Sequence, residues 1–233
     1  MTTLAARALT RTYSTAAGDV HALVEADLAV HEGELLVVTG PSGSGKTTLL
    51  NLLGGLDRPS SGAVFLDEVE LSALPEKDAL PWRQRTLAFV FQSFGLVPVL
   101  SAAENVEVPL RVQRIAAAER DERVAAVLEA VGLTPHANQR PHELSGGQQQ
   151  RVGIARALVT DPRVLIADEP TGQLDSATAG TIMDLLAELT GQRGIAAVVS
   201  THDPLLIDRA DRVVQLHDGQ LTATAPVRGN VGA

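Results

Sequence analysis

Hydrophobic residues along this 233-residue chain follow strand-like patterns towards both ends and a helix-like pattern in the middle. Near the start, residues 4–13 alternate imperfectly between apolar and polar, a turn is expected at 16–19, and residues 20–30 form a second strand-like run. Further on, short apolar runs are continuous rather than alternating, which is typical of parallel strands buried on both faces. These runs lie at 34–39, 87–91, 163–167 and 195–200.

Helical spacing dominates residues 101–160. Apolar residues there follow the i, i+3, i+4, i+7 pattern of a half-buried helix, and Gly132 stands where such a helix would end. These apolar residues are Val124, Val127, Leu128 and Val131. The pattern also predicts an apolar helix at 46–56 and a hairpin arm at 63–71.

The order of these elements predicts an α/β protein with one domain over residues 1–221. A β-rich start and a strand–helix unit come first, a helical insertion follows, and further strand–helix units come last. The segment from Thr222 is rich in Ala, Pro, Gly and polar residues, so we expect it to fray. The predicted parts are a core formed by 1–92 and 161–221, a helical subdomain at about 93–160, and a flexible tail at 222–233.

Composition narrows the class of protein. The chain has a formal net charge of −9 at pH 7 and no cysteine. Proteins that bind nucleic acid usually present a basic face, so we expect no nucleic acid as the main partner, and disulfides and thiolate metal sites are excluded. No apolar run approaches the ~18 residues that a membrane helix needs, and the N-terminus has no signal-peptide pattern. We therefore expect a soluble cytoplasmic protein.

A glycine-rich pattern, G-x-x-x-x-G-K-[ST], fills residues 40–47, between a predicted strand and a predicted helix. Its glycines let backbone N–H groups turn towards phosphate oxygens, and the helix N-terminus adds the positive end of its dipole. Lys46 would reach the β- and γ-phosphates, and the Thr47 hydroxyl would bind Mg²⁺. An ordinary Gly/Ser turn is the alternative, but the flanking strand and helix argue against it. The residues expected to contact the nucleotide here are Gly40, Pro41, Ser42, Gly43, Ser44, Gly45, Lys46, Thr47 and Thr48.

Two adjacent carboxylates, Asp168 and Glu169, follow the apolar run at 163–167. Ligands of open α/β sheets bind at the carboxyl ends of the strands. Asp168 fits the aspartate that holds Mg²⁺ in phosphate-loop enzymes, and Glu169 is a candidate to deprotonate an attacking water. A solvated strand end would look the same in isolation, but the phosphate loop elsewhere in the chain favours the catalytic interpretation.

The sequence LSGGQ at 144–148 places two glycines at the start of a predicted helix. Ser145 and Gln148 form a capping box, S-x-x-Q, which explains those two residues. It does not explain Gly146 and Gly147, which weaken the first turn. Such glycines make sense where another group approaches the backbone closely, and a helix N-terminus favours an anion. One nucleotide could therefore lie between the two glycine-rich surfaces if they meet across a dimer.

These motifs together resemble the ATP-binding subunit of an ABC transporter over nearly the whole chain. LSGGQ is the signature of that superfamily, and it occurs here with the phosphate loop and the Asp168–Glu169 pair. The resemblance implies a phosphate-loop ABC ATPase fold, with a mainly parallel core sheet, an N-terminal antiparallel β subdomain and a helical insertion. It also implies a homodimer around two ATP with Mg²⁺, in which Ser145, Gly146, Gly147 and Gln148 of one chain close over the ATP of the other.

Further positions are assigned by this resemblance alone. Tyr13 matches the aromatic that stacks on adenine, with an ordinary strand residue as the alternative. Gln92 matches the glutamine that contacts Mg²⁺ or the attacking water, and His202 matches the histidine that contacts the γ-phosphate. Together with Glu169 and Lys46, they complete the predicted catalytic set, and Thr47, Gln92 and Asp168 form the predicted metal set. Asp175 matches an aspartate at the dimer seam, where the neighbouring Gln173 departs from the usual Asn or Ala.

A narrower resemblance is to the ATPases of the lipoprotein-releasing and macrolide-export group. It rests on residues 54–59, 90–94 and 104–110, which related antimicrobial-peptide-resistance and cell-division ATPases share in large part. It implies an integral membrane permease as partner, for export or mechanical extraction, and a location on the inner face of the cell membrane. The apolar cluster from Phe94 to Leu100 either packs locally or receives a partner helix.

Two alternatives belong to other functional classes. One is a soluble, non-transport ABC ATPase acting on DNA or ribosomes, which would usually carry coiled coils, a second cassette or a basic surface. The other is a small-molecule kinase with the same phosphate loop, for which LSGGQ and His202 have no purpose.

Overall fold

A computed structural model describes residues 2–16, 18–203 and 207–223, and its strands form two sheets. The first sheet contains β1 (Thr2–Thr15), β2 (Gly18–His31), β4 (Ser61–Leu66) and β5 (Val69–Glu70). The second contains β3 (Leu35–Thr39), β6 (Leu87–Phe91), β7 (Val164–Asp168), β8 (Ala196–Ser200), β9 (Arg212–His217) and β10 (Gln220–Ala223).

The two sheets differ in strand direction. The first is antiparallel throughout, in the order β2-β1-β4-β5. The second runs β10-β9-β3-β8-β7-β6 and is parallel except for β10 at its edge. The predicted combination of a mainly parallel core sheet and an antiparallel β subdomain is confirmed.

Helices connect and cover these strands. They are α1 (Lys46–Leu53), α2 (Glu76–Thr86), α3 (Ala102–Val112), α4 (Ala117–Ala130), α5 (Gly146–Leu158) and α6 (Ser176–Arg193). Capping boxes begin α3 at Ser101 and α5 at Ser145, and the Asp175 side chain caps α6. Helices α3 to α5 lie between β6 and β7 in the chain and form the predicted helical insertion.

Strand β3 shows why its apolar run is continuous. Leu35 and Val37 pack into a core shared with α3 to α6, whereas Leu36 and Val38 pack into a second core shared with α1 and the antiparallel sheet. These four side chains are fully or almost fully buried. Alternating residues of one strand thus face two cores, which requires every position to be apolar.

Two predicted boundaries need correction. The apolar helix expected at 46–56 ends at Leu53, because Gly54 lies against the Phe89 ring and Gly55 adopts φ 64°. The expected tail at 222–233 begins inside a strand, because Thr222 and Ala223 pair with β9. The rest of that tail lies outside the described residues. Across the ranges that the structure describes, no helix has the length and apolar character to cross a bilayer.

Candidate nucleotide site

The loop at 40–45 leaves β3 and turns into α1 through glycines that no other residue could replace without strain. Gly40 has φ 149° and Gly45 has φ 106°, conformations that side chains disfavour. A Cβ atom at Gly40 would lie 2.1 Å from the carbonyl oxygen of Leu216, and one at Gly45 would lie 2.2 Å from that of Ala22. The loop is therefore pressed between β9 and β2, which fixes its path ahead of the α1 N-terminus.

Lys46 begins α1 and is held under the loop. Its Nζ atom donates to the carbonyl oxygens of Gly40 at 2.8 Å and Pro41 at 3.1 Å. It also lies 4.0 Å from Glu169 Oε1. The side chain is 8% exposed, so the amine is confined to the region between the loop and the carboxyl end of β7.

A cavity of about 400 Å³ opens beside the loop and Lys46. Its volume lies in the usual range for small-molecule sites. It stands at the N-terminus of α1, where the helix dipole favours an anion. The lining residues are Val20, His21, Ala22, Ser42, Gly43, Gly45, Lys46, Thr47, Thr48, Glu169, Asp218 and Gly219.

Asp168 and Glu169 are joined to the phosphate loop by a row of hydrogen bonds. Thr47 Oγ1 donates to Asp168 Oδ2 at 2.8 Å, and Ser200 Oγ donates to Asp168 Oδ1 at 2.6 Å. The Glu169 backbone N–H donates to the same Ser200 oxygen at 2.8 Å. One buried hydroxyl at the end of β8 therefore orders both acidic residues.

Glu169 combines an uncommon backbone conformation with close polar neighbours. Its φ is 43°, which is uncommon outside glycine and costs conformational free energy. Its Oε1 atom lies 3.4 Å from His202 Nδ1 and 4.0 Å from Lys46 Nζ. The carboxylate thus lies close to two of the three other predicted catalytic groups, His202 and Lys46, and is part of the cavity lining.

The oxygen atoms of Thr47 and Asp168 suit Mg²⁺, which prefers hard oxygen ligands and is usually held by one or two carboxylates plus phosphates. Gln92, the third predicted ligand, follows β6, whose last residue pairs with Asp168. Its amide lies against Gly172, where a Cβ atom would be 2.7 Å from Nε2. Gln92 is thus near the acidic strand end but outside the cavity lining.

Tyr13 also lies outside the cavity lining, although its cross-strand partner Val20 is part of it. Opposed residues of an antiparallel pair project to the same face of the sheet, so Tyr13 lies next to the cavity. Its hydroxyl donates to Asp57 Oδ2 at 2.8 Å. The Arg11 guanidinium lies 4.4 Å from its ring centroid.

The signature residues are not brought to this cavity within the chain. The predicted capping box is confirmed, since Ser145 N donates to Gln148 Oε1 at 2.8 Å and Gln148 N donates to Ser145 Oγ at 3.3 Å. The glycines have a packing reason that the sequence analysis missed. A Cβ atom would lie 2.5 Å from Thr178 Cγ2 at Gly147 and 3.3 Å from Leu174 Cδ2 at Gly146.

Asp175 holds the segment against which these glycines pack. It accepts hydrogen bonds from the backbone N–H groups of Ala177 and Thr178 and, at 2.7 Å, from the Thr178 hydroxyl. The hydroxyl bond is the main cause of a lowered Asp175 pKa. Gln173, the departure from the family pattern, is exposed beside it.

The apolar segment from Phe94 to Leu100 is tied to its own chain by Asn105. The amide of Asn105 accepts from the N–H of Val97 at 2.7 Å and donates to the carbonyl oxygens of Val97 and Leu100. Val97 and Val99 are nevertheless 41% and 73% exposed. The segment is therefore locally anchored with two apolar side chains left at the surface.

Sequence reasoning missed two residues that this geometry makes important, Ser200 and Asp57. Ser200 could have been found, because it is the polar end of an apolar strand and strand ends carry the chemistry of α/β proteins. Asp57 could not, because nothing in the spacing joins it to a tyrosine 44 positions earlier.

Comparison with known proteins agrees with the fold. The profile of the family described as "ABC transporter" matches residues 23–172. The chain is 44% identical over 220 residues to the lipoprotein-releasing system ATP-binding protein LolD of Legionella pneumophila (strain Lens), covering 94% of this chain and 97% of that protein. Two solved structures of MJ0796, a protein of Methanocaldococcus jannaschii, each match with 40% identity and a TM-score of 0.88, covering 97% of this chain and 99% of theirs.

Those structures are described as dimeric, one of them as a post-hydrolysis state bound to ADP and Pi. The resemblance to the lipoprotein-releasing group is confirmed in sequence by the match to LolD. The chain belongs to the ABC transporter family as an ABC-type ATPase, which binds ATP and hydrolyses it to ADP and phosphate, and is not a small-molecule kinase.

Proposed function

We propose that this chain is the ATPase subunit of a membrane export or extraction complex of the lipoprotein-releasing type, attached through its permease to the inner face of the cell membrane. The observation that carries the proposal is the hydrogen-bonded row from Thr47 through Asp168 and Ser200 to Glu169. This row supplies a nucleotide site with an ordered carboxylate. The full-length similarity to LolD supports the transport class.

The triphosphate would lie along the loop at 40–48, with its terminal phosphates next to Lys46. In the structure Lys46 Nζ donates to the loop carbonyl oxygens of Gly40 and Pro41. Phosphate oxygens are stronger acceptors for an ammonium group, so Lys46 would exchange these bonds for contacts with the β- and γ-phosphates. Thr47 and Asp168 would hold Mg²⁺, which neutralises phosphate charge when bound.

Glu169 would act as general base. Its carboxylate takes a proton from water, the water oxygen bonds to the γ-phosphorus, and the bond from that phosphorus to the bridging oxygen breaks, so that ADP leaves with the electron pair. His202, 70% exposed and 3.4 Å from Glu169, would contact the γ-phosphate. Gln92 would turn from Gly172 to the water or metal ion.

The site would be completed by a second copy of the chain. Ser145 is exposed at the α5 N-terminus, where backbone N–H groups and the helix dipole favour phosphate. In a homodimer the segment at 145–148 of one chain would close over the ATP held by the loop of the other. The helical segment at about 93–160 would then be the subdomain that carries this surface against the core at 1–92 and 161–221.

The permease would dock in an apolar groove of about 490 Å³ between β6, α3 and α5. Phe91 and Val112 are 43% and 57% exposed there. The groove also includes Gly95 and Arg156, and Arg156 donates from α5 to the carbonyl oxygens of Phe94 and Gly95. A permease helix in the groove would therefore contact both the segment after Gln92 and the signature helix.

A variant in the groove tests the docking surface. We expect Val112→Asp to abolish co-purification with the permease, because a permease helix in the groove would remove the carboxylate from water. ATP binding by the isolated chain should be kept, because Val112 is 57% exposed there and the carboxylate stays solvated. The matched control is Leu80→Asp, since Leu80 is 46% exposed on α2 outside the groove. Equal loss of co-purification in both variants, or normal co-purification of Val112→Asp, would contradict the assignment of the groove as the docking surface.

Mixed dimers test the composite site. One partner carries Lys46→Ala and the other Ser145→Asp, both with Glu169→Gln to stop hydrolysis. Aspartate still caps a helix, so Ser145→Asp should fold normally. Its charge repels phosphate, so this variant should fail only in ATP binding. Only a mixed dimer has one site built from intact halves.

We expect the mixed dimer to retain one ATP through gel filtration and each homodimer to retain none. The control is Ser145→Asn, an equally good cap without charge, which should retain two ATP per homodimer. Mixed dimers that form but hold no more ATP than the homodimers would refute the composite site.

A further inference from the structure

Asp57 makes contacts that the roles assigned above leave unexplained. Its Oδ2 atom accepts a hydrogen bond from the Tyr13 hydroxyl at 2.8 Å, and its Oδ1 atom accepts from Arg11 Nη2 at 2.9 Å and from the Arg58 backbone N–H at 2.7 Å. The Asp57 side chain is 26% exposed. One partly buried carboxylate thus fixes two side chains of β1.

These contacts immobilise the Tyr13 ring on two sides. The bond to Asp57 fixes its edge, and the Arg11 guanidinium, 4.4 Å from the ring centroid, covers one face. Arg11 itself is oriented by Asp57, and its Nε atom is buried without a partner among the described residues. A cation over an aromatic face is a favourable contact. The ring is therefore presented in one orientation before any ligand arrives.

Asp57 is also joined to the helix that carries the phosphate site. The backbone N–H groups of Leu56 and Asp57 donate to the Asn51 carbonyl oxygen at 2.8 and 3.3 Å. Lys46 is the first residue of that helix, α1, which has 8 residues and therefore a length of about 12 Å. Phosphate loop, helix and Asp57 thus form one rigid unit that sets where Tyr13 stands relative to the phosphates.

We propose that Asp57 is a positioning residue for the nucleotide base. It holds Tyr13 at a fixed distance from the phosphate loop, so that the free face of the ring receives adenine without first being ordered. This inference rests on the proposed role of Tyr13 as the base platform. Affinity is lower when a side chain must be ordered on binding. Loss of the Tyr13–Asp57 bond should therefore weaken binding of ligands that contain a base and leave the phosphate contacts intact.

The test compares two ligands on the full chain, a non-hydrolysable ATP analogue and inorganic tripolyphosphate, each with Mg²⁺. Tyr13→Phe keeps the ring and removes the bond to Asp57, and Asp57→Ala removes the carboxylate. We expect each to weaken binding of the ATP analogue about threefold to tenfold, the scale for one side chain immobilised on binding, with tripolyphosphate unchanged. Because both act on one contact, the double variant should lose no more than the larger single loss.

Two further variants make the outcomes distinguishable. Asp67→Asn is the control for loss of an arginine-paired carboxylate, since Asp67 pairs with Arg163, just before β7, and not with Arg11 beside Tyr13; it should bind both ligands normally. Tyr13→Ala should weaken the ATP analogue more than Tyr13→Phe does.

Three results would overturn the proposal. If Tyr13→Ala weakens binding of the ATP analogue but Tyr13→Phe and Asp57→Ala do not, Tyr13 contacts the base and Asp57 does not position it. If Asp57→Ala weakens binding of the ATP analogue and of tripolyphosphate equally, Asp57 supports the fold of the whole site and not the base contact. If Tyr13→Ala binds the ATP analogue with unchanged affinity, Tyr13 does not contact the base, and the proposal fails with that role.

Discussion

Replacing Gly147 by alanine should destabilise the chain through one methyl group on α6. The added Cβ would lie 2.5 Å from Thr178 Cγ2, whereas carbon atoms in favourable contact are about 3.5–4.0 Å apart. Thr178 cannot easily give way, because Asp175 accepts from its hydroxyl at 2.7 Å and from its backbone N–H at 3.0 Å. A β-branched side chain also has few rotamers in a helix.

The magnitude follows from two opposing effects. Overpacking of this kind costs about 1–3 kcal/mol. Alanine gains up to ~1 kcal/mol over glycine in a helix, with less expected in the first turn. Gly147→Ala should therefore lower the free energy of unfolding by about 0–3 kcal/mol, towards the upper part of that range if the helix gain is small in the first turn.

Thr178→Ser supplies the decisive background, because it deletes Cγ2 and keeps the hydroxyl that Asp175 binds. There Gly147→Ala should no longer destabilise and should gain up to ~1 kcal/mol. Denaturant unfolding of the four proteins without nucleotide gives the coupling energy, expected to be about 1–3 kcal/mol. Additivity within ~0.5 kcal/mol would refute the packing explanation. Gly146→Ala is the comparison in the same helix, since its Cβ would meet the flexible end of Leu174 at 3.3 Å and Phe94 Cζ at an ordinary contact distance of 3.9 Å.

The same double variant separates the two reasons for glycine at this position. If Gly147 also leaves room for the ATP of a partner chain, Gly147→Ala with Thr178→Ser should be stable and still retain less ATP in the dimer, measured with Glu169→Gln present. Normal ATP retention would show that Gly147 serves packing alone. Stability and ligand retention are thus read from one pair of substitutions.

Three other predictions concern single residues. Glu169→Gln should slow ATP turnover about 10²–10⁴-fold and accumulate an ATP-bound dimer on gel filtration; near-normal turnover would remove it as general base. Lys46→Ala should abolish saturable binding of a non-hydrolysable ATP analogue with Mg²⁺, and unchanged affinity would contradict the loop assignment. Because the Thr178 hydroxyl lowers the Asp175 pKa, the charged carboxylate stabilises the fold above its unfolded pKa of about 3.9, and this contribution is lost as pH falls through the lower folded pKa. The melting temperature of the wild type should therefore exceed that of Asp175→Asn by less at pH 3 than at pH 6, and a constant difference would contradict this.

Elements with a strong periodic pattern could be predicted from the sequence, and elements that depend on partners could not. The continuous apolar run of β3 identified a strand buried on both faces, because each residue from Leu35 to Val38 packs into one of two cores. Helix α2 was missed because it contains Pro81 and buries only Ala79, so it has no apolar face to detect. Strand β10 was missed because its pairing with β9, rather than its own composition, makes it a strand.

The same distinction applies to the candidate site. Local motifs identified the loop, the acidic pair and the capping box, since each is fixed by neighbours in the chain. The contact of Gly147 with Thr178 and that of Tyr13 with Asp57 join residues 31 and 44 positions apart. Spacing carries no signal for such pairs, because the packing of whole elements creates them.

Strand order explains why a serine became part of the site. In the parallel sheet β8 lies between β3 and β7, so the ends of three strands meet at one edge, with neighbours about 4.8 Å apart. Asp168 is thereby one strand removed from the strand that leads into the phosphate loop, and it is anchored from both sides by Thr47 and by Ser200, the end of the intervening β8. A chain with β7 beside β3 would need no such residue. The sequence places Ser200 at a strand end, but its role between the two acidic residues and the phosphate loop follows from the strand order, which the sequence does not show.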